Sequence, residues 1–405
     1  MRILLITQYF WPESFRINDI VLGLAEKGHS IEILTGQPNY PSGKFYSGYG
    51  VFKKRVEFWN GIKIHRTILI PRGKASGIQL FFNYFSFAFF SVLRLFFISA
   101  KFDKIFVYEP SPITVGIPAI FAKYKFKAPV YFWVQDLWPE SISAAGGVSN
   151  LFFLKIIDWL TRFIYKSSTK ILVQSKAFIP YILDQDIDRS KLIYYPNSTE
   201  SYFIEMDPDQ ELLGKMPTGI KLMFAGNIGE SQSFVTLLQA AEILKNENVN
   251  VHWIILGEGR MKEIVIQQIQ QMGLEDCFHL MGSYPPEEMP KYFSCADAMI
   301  VSLKKSRVFA YTIPSKIQSY LACGKPIITS LDGEGSRIIN EAKAGLTSPS
   351  EDPTMLANNI KNFIELSEDE KIKMGQNARK YYDKEFERGM LLDKLEMILE
   401  NDNSF

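Results

Sequence analysis

Short apolar runs alternate with stretches of helical periodicity along most of the chain. Ile3–Thr7 reads as a buried strand. Asn18–Lys27 follows with Ile20, Val21, Leu24 and Ala25 at helical spacing, and Gly28 closes it as a left-handed cap before the next apolar run, Ile31–Thr35. A β-α-β opening of this kind implies a parallel sheet with helices on its faces. Val56–Phe58 and Ile62–Arg66 flank Asn60-Gly61, a hairpin signal. Ile105–Tyr108, Val130–Gln135, Ile171–Val173 and Leu192–Tyr195 are further predicted strands. Residues 196–220, rich in polar residues, Pro and Gly, interrupt the pattern and mark a domain boundary. The alternation then resumes, with strands expected at Leu222–Ala225, Val251–Leu256, Phe278–Leu280, Met299–Ser302 and Pro326–Ser330. No short repeat of the solenoid kind is present. Asp369–Glu400 is expected to be helical and amphipathic, and its stripe of Met390, Leu391, Leu392, Leu395, Ile398 and Leu399 reads as core contact.

Composition changes this picture little. With 405 residues, 47% hydrophobic and 22% charged, two globular domains are the default and disordered or fibrous classes are excluded. Lys+Arg is 45 and Asp+Glu 44, a net charge of +1, which disfavours a protein held to nucleic acid by charge. Cys277, Cys295 and Cys323 are odd in number and widely spaced, giving neither a disulfide framework nor a zinc pattern and fitting a reducing compartment. The opening MRILLITQYFWPE is not read as a signal peptide, because its apolar run Ile3–Ile6 is short and Gln8, Pro12 and Glu13 follow at once.

Doubly wound domains bind ligands where the carboxyl ends of their strands meet loops. Phe224-Ala225-Gly226-Asn227-Ile228-Gly229 and Val251–Leu256 running into Gly257-Glu258-Gly259-Arg260 are two such loops. Their glycines suit close approach of a phosphate, or simply a tight strand-to-helix turn. Arg260 either meets a nucleotide or is solvated. Thr312-Ile313-Pro314-Ser315-Lys316 carries the strongest signal. Pro314 pre-sets a helix start, and the free N–H groups at Ser315 and Lys316, the helix dipole and the Lys316 charge make an anion site; an ordinary capped helix is the alternative. Ile317, Tyr320 and Leu321 are expected to face the core, and Asp332-Gly333-Glu334-Gly335-Ser336 forms another loop near that site.

Together, TQYFWPESFRINDI, GHSIEILTGQPNYPSGK, VQDLWPES, FAGNIGESQ, LGEGR, YTIPSKIQSYLACGKPII and DGEGSRII resemble family-four glycosyltransferases over nearly the whole chain, closest to bacterial O-antigen and capsule transferases of the L-fucosamine (FucNAc) type. The resemblance implies a GT-B fold, two Rossmann-like doubly wound α/β domains facing a central cleft. Residues 1–200 would bind the acceptor, 201–385 the nucleotide sugar, and 386–405 would form a C-terminal helix packing back toward the first domain. It implies a retaining transfer, independent of metal and cofactor, from a UDP-sugar (FucNAc or QuiNAc donors being typical) to a lipid-linked, polyprenyl diphosphate saccharide. Gly226, Asn227, Gly229, Arg260, Ser315, Lys316, Gln318, Gly333, Glu334, Gly335 and Ser336 would bind the donor. Asp136 and Lys316 would be catalytic, with Arg16 and Glu140 at the acceptor. Arg16 is equally read as a surface residue at a helix start, and Glu140 as helix N-terminal charge.

The chain departs from that family pattern. Counting back from Ala322-Cys323-Gly324 puts the family's usual pair of glutamates at Tyr311 and Ser319. The second normally holds the donor ribose, and Gln318 is the expected substitute. The usual Arg near Asn227, and a Lys shortly after it, are also missing. Diphosphate charge then falls to Lys316, with Arg260 or the Lys304-Lys305-Ser306-Arg307 run as helpers, the run being otherwise a solvated loop. A UDP-sugar 2-epimerase of the same fold and a non-catalytic sugar-nucleotide-binding protein are the rival readings. The four histidines of the chain, too few for an epimerase cleft, weigh against the first.

Residues 78–100 hold eight Phe and one charge, Arg94. A helix of that length is about 35 Å long, enough to span a bilayer. Spanning is rejected because the strands on either side belong to one domain. The segment is either a buried helix or one whose outer face dips into a bilayer. Its Phe are too evenly spread for one core-facing stripe, and Arg72, Lys74, Lys101 and Lys104 flank it for anionic headgroups, with Arg94 snorkelling. The expectation is a monotopic protein on the cytoplasmic face of the cell membrane.

Overall fold

In the computed structural model, residues 1–144 and 150–401 are described; the last four residues of the expected 386–405 segment lie outside them. The chain divides into two units, Met1–Pro196 with the segment from Leu391 onward, and Asn197–Met390.

The first unit is built on eight strands, β1 (Arg2–Ile6), β2 (Ser30–Gly36), β3 (Val56–Trp59), β4 (Ile62–Thr67), β5 (Lys104–Glu109), β6 (Val130–Val134), β7 (Lys170–Val173) and β8 (Leu192–Tyr194). They lie in the order β3-β4-β2-β1-β5-β6-β7-β8. All neighbours are parallel except the β3–β4 hairpin, whose Asn60 and Gly61 take φ of 48° and 78° as the Asn-Gly pair predicts. Ile3–Ile6 and Val130–Val134 are buried without alternation, because helices cover both faces of the sheet. Those used below are α1 (Arg16–Glu26), α2 (Gly77–Leu95), α3 (Gly116–Phe126), α4 (Glu140–Ala144) and α5 (Leu151–Ser167). The chain winds outward from β1 to β2 and later restarts at β5 on the other side of β1. The switch point therefore opens between the ends of β1 and β5.

Helix α2 lacks the usual amphipathicity: it is apolar on its outer face as well as its inner one. Its buried face is Asn83, Phe87, Ala88, Ser91 and Leu95, and Asn83 exchanges hydrogen bonds with Gln8 Nε2 (2.7 Å) and the Ile70 carbonyl (2.6 Å). Its outer face carries Phe82 and Phe89, the latter 61% exposed. Phe97, 78% exposed, lies past the helix end. Among the described residues, α2 is the one helix long and apolar enough to cross a membrane by length and composition. Strands β4 and β5, before and after it, belong to one sheet. Two flanking cations differ from expectation: Lys104 is buried over the Tyr131 ring (5.6 Å), and Arg94 donates to the Arg55 carbonyl (3.2 Å) instead of reaching outward.

The second unit holds β9 (Ile220–Ala225), β10 (Val251–Leu256), β11 (Phe278–Gly282), β12 (Ala298–Ser302), β13 (Ile327–Ser330) and β14 (Gly345–Ser348), all parallel, in the order β11-β10-β9-β12-β13-β14. Met223, Ile254 and Met299 pack into the core on one face of this sheet, with Ile317 and Leu321. Leu222, Phe224, Trp253 and Ile300 pack on the other. Period-2 alternation thus serves two cores. The switch point lies between β9 and β12. Strand β14 was not expected; it is a short edge strand without an apolar run.

The tail is two helices, Glu368–Glu385 and Arg388–Glu400. Phe386, fully buried against Tyr381, stands at the break. After it, Leu391, Leu392, Leu395, Ile398 and Leu399 are buried as first-unit core. Tyr195 donates to the Leu391 carbonyl (3.1 Å), and Lys27 and His29 both pair with Glu396 (2.9 and 2.8 Å).

Candidate active site

In the second unit, a pocket of about 530 Å³ opens at the carboxyl ends of β9 and β10 beside the start of the helix Ser315–Ala322. Gly226, Asn227, Gln232, Gly257, Glu258, Ser315, Lys316 and Ser319 line it. The loops after β9 and β10 lie backbone against backbone: Gly226 N–H donates to the Leu256 carbonyl (2.9 Å) and Ile228 N–H to that of Glu258 (2.8 Å). Gly257 has φ of 148°, and a Cβ there would stand 1.9 Å from the Gly226 carbonyl oxygen, so only glycine allows this approach. Tyr320 bonds through its hydroxyl to both the N–H (3.0 Å) and the carbonyl (3.2 Å) of Ala225, tying the first loop to the helix.

Lys316 is the charge of this pocket. Its ammonium donates to Gln232 Oε1 (2.6 Å) and sits 3.8 Å from the Phe224 ring centroid. Burial pushes its pKa down to about 7. Ile317 N–H makes the first turn's bond, to the Pro314 carbonyl (2.9 Å). The N–H groups of Ser315 and Lys316 precede it and have no intrahelical acceptor. A bound anion would meet N–H donors, the helix dipole and an ammonium whose charged form burial has disfavoured.

Several expected donor residues stand elsewhere. Gln318 is buried and donates to the Asn197 carbonyl (2.6 Å), because it lies on the other side of the helix from Lys316. Ser319, where the family's ribose-binding Glu would be, lines the pocket instead, with its hydroxyl 3.0 Å from that of Thr199. Arg260 is 78% exposed and shares Glu230 with Lys304, at 3.5 and 2.8 Å, outside the pocket. Glu334 is buried against Arg337 (2.8 Å), Gly335 lies against Leu331 and Ile317, and Ser336 donates to the Leu331 carbonyl. Gly333 caps their helix, Glu334–Ala342. None of these four is in the pocket wall, and neither is Gly229, where an added Cβ would meet the Asn227 side chain.

In the first unit a second cluster surrounds Asp136, just past β6. Burial pushes its pKa up to about 7. Glu109, the last residue of β5, is fully buried beside it, and burial together with the Asp136 charge raises its pKa further. Tyr84 of α2 lies within hydrogen-bond reach of Ser111 and Tyr9. Arg72 donates to the Tyr9 hydroxyl (3.4 Å) and stacks over Tyr40 (4.9 Å). Arg16 opens α1, and its charge acts on Tyr108. Glu140 begins α4 and bonds to the Tyr181 hydroxyl, so its carboxylate turns away from Asp136's groove. Tyr9, Tyr84 and Glu109 were not singled out from sequence, and Arg72 only as a cation flanking the Phe-rich segment. Only the sheet order brings them together. Glu13 accepts from the N–H groups of Asn39 and Tyr40 (both 2.7 Å) and ties the loop after β1, which carries Tyr9, to the segment that carries Tyr40.

A model of the glycosyl transferase 4-like domain matches residues 14–198, and one of the glycosyl transferases of group 1 matches 207–381. The glycosyltransferase WbjE of Pseudomonas aeruginosa is 27% identical over 58% of this chain and 59% of its own length. The colanic acid biosynthesis glycosyl transferase WcaI of Escherichia coli is 23% identical over 76% of each. Anabaena HepE, solved in complex with UDP-glucose, superposes with a TM-score of 0.67 at 14% identity, over 99% of both chains. Two doubly wound sheets and two family models, one on each, lead to one conclusion: the chain has the GT-B fold, with a glycosyl transferase 4-like domain over residues 14–198 and a group 1 glycosyl transferase domain over 207–381.

Proposed function

We propose that the protein is a retaining, metal-independent glycosyltransferase that moves a sugar from a UDP-sugar to a lipid-linked saccharide. It would work in O-antigen, capsule or related surface-polysaccharide synthesis, as a monotopic protein at the cytoplasmic face of the cell membrane. The Lys316 pocket carries this reading: a buried ammonium beside free helix N–H groups suits a diphosphate. HepE, with UDP-glucose, and WcaI, a colanic acid transferase, support the donor and the pathway class. An N-acetylated deoxyhexosamine such as FucNAc or QuiNAc is the proposed sugar, by the sequence resemblance.

Breaking the bond between the sugar's C1 and the diphosphate oxygen builds negative charge on UDP. Lys316 and the N–H groups of Ser315 and Lys316 would stabilise that charge where it grows. Ser319 stands where the donor ribose is expected. Asp136 would hold or accept the proton of the acceptor hydroxyl, its raised pKa suiting a base near neutrality. An epimerase is less well supported. His29 pairs with Glu396, His65 with Glu32, and His252 with His279, so no histidine faces either cluster.

A UDP-sugar that binds should raise the melting temperature. Asp136→Asn should keep that shift while lowering transfer by roughly 10²–10⁴-fold, as loss of general acid–base help does. Equal transfer by Asp136→Asn would remove this residue from the mechanism.

A further inference from the structure

Helices α2 and α5 both pack on α3, and an apolar groove of about 1040 Å³ runs between them. That is at the upper end of the roughly 300–1,000 Å³ spanned by small-molecule pockets. Leu80, Phe81 and Phe85 form one wall, and Phe153, Ile157 and Leu160 the other, with Phe81 and Phe153 ring centroids 5.9 Å apart. The inner end is polar: Tyr84, Ser111 and Asp136. The Arg72 charge acts on Tyr84, and that of Arg16 on Tyr108, whose hydroxyl also feels Asp136.

Helix α5 repeats the anomaly of α2. Phe152, Ile156, Trp159 and Phe163 recur at helical spacing along one face, and all are exposed, Trp159 by 65%. Soluble surfaces rarely carry so continuous an apolar face without a partner. Exposed Phe on α2 and this stripe on α5 therefore make apolar rims on both sides of the groove. The whole has the polarity of an amphiphile's mould, with a polar inner end that the Arg72 charge reaches through Tyr84, hydrocarbon walls and lipid-compatible rims.

We propose that this groove holds the isoprenoid chain of the acceptor lipid, its diphosphate lying toward Arg72, with α5 as the second wall and the second membrane-facing helix. The proposal rests on the lipid-linked acceptor in the reading above. The charge pattern favours it: an anionic head and an apolar tail match the two ends of the groove, whereas a soluble saccharide would leave the Phe walls unmatched.

The test uses the full-length protein and farnesyl diphosphate, with inorganic diphosphate as the control. Wild type should bind farnesyl diphosphate at least tenfold more tightly than inorganic diphosphate. Phe81→Glu and Leu160→Glu, both partly exposed positions, should erase most of that difference. They should keep the wild-type melting shift with UDP-sugars and the wild-type sedimentation with phosphatidylglycerol–phosphatidylethanolamine vesicles. The triple change Phe152→Ser, Trp159→Ser and Phe163→Ser should do the reverse, weakening sedimentation at least tenfold and sparing farnesyl diphosphate affinity. Equal binding of the two diphosphates by wild type, or undiminished farnesyl diphosphate binding by both groove variants, would overturn the proposal. Either failure with UDP-sugar turnover intact would leave the glycosyltransferase reading standing; loss of UDP-sugar turnover in wild type would count against that reading instead.

Discussion

Lys316→Ala is expected to lower turnover of the UDP-sugar by about 10²–10³-fold, the loss that follows removal of one donor aimed at developing charge. The protein should still fold, since the change removes an amine that burial already disfavours as a cation. Arg should rescue poorly: the ammonium is bounded by Gln232 at 2.6 Å and the Phe224 ring at 3.8 Å, which suits a compact head and not a planar guanidinium. The lowered pKa gives a second readout. In the empty pocket the amine loses its proton near pH 7, and a bound diphosphate raises its pKa. Binding of UDP above pH 7 should therefore take up close to one proton, and affinity should fall by up to about tenfold per pH unit. Calorimetry in two buffers of different ionisation heat measures that uptake, and Lys316→Ala should abolish it. Unchanged turnover in the variant would remove Lys316 from the chemistry.

Gly257→Ala should be among the most damaging small substitutions in the second unit. The new methyl would lie 1.9 Å from the Gly226 carbonyl oxygen, and a φ of 148° is strained for any residue with a Cβ. Backbone is on the other side of the clash, so a side-chain rotation cannot relieve it. The two loops must part, and the Gly226 and Ile228 hydrogen bonds that close them are lost. A destabilisation of about 3 kcal/mol or more is expected, in the tail of what single substitutions do. It should appear in urea unfolding as a lower midpoint with little change in slope. Gly28→Ala is a useful contrast: φ is 89° there, but no atom lies within 4 Å of the added methyl, so only the backbone strain remains.

The sheets were largely legible because most strands are covered on both faces, and covered strands are mostly apolar. Strand β14 escaped because an edge position that is half exposed, Gly345–Ser348, needs no such run. The break in the tail escaped because both halves share helical periodicity, and only burial of Phe386 shows where the chain turns. The Lys316 pocket was legible where its features are local. A Pro-Ser-Lys helix start and glycines after strands announce themselves in a few residues. Gln318 against Ser319 was not, since one residue is 100° of helix and decides which side chain faces the pocket. The cluster around Asp136 draws Tyr9, Arg72 and Tyr84 from three separate segments, and no local spacing encodes that. Helix α2 was recognised as unusual from its Phe content. That its polar residues Asn83 and Ser91 are the buried ones follows only from the Gln8 and Ile70 partners waiting beneath Asn83.

The central claim is that Lys316's pocket releases UDP from a sugar donor. It is tested most directly by measuring UDP release from a panel of UDP-sugars that includes N-acetylated deoxyhexosamines. Wild type and Lys316→Ala should be compared with and without a polyprenyl diphosphate saccharide. One donor should give UDP release that the acceptor stimulates, falling about 10²–10³-fold in Lys316→Ala while the variant keeps the wild-type circular dichroism. Release from no UDP-sugar under any of these conditions, or release that Lys316→Ala leaves untouched, would contradict the account.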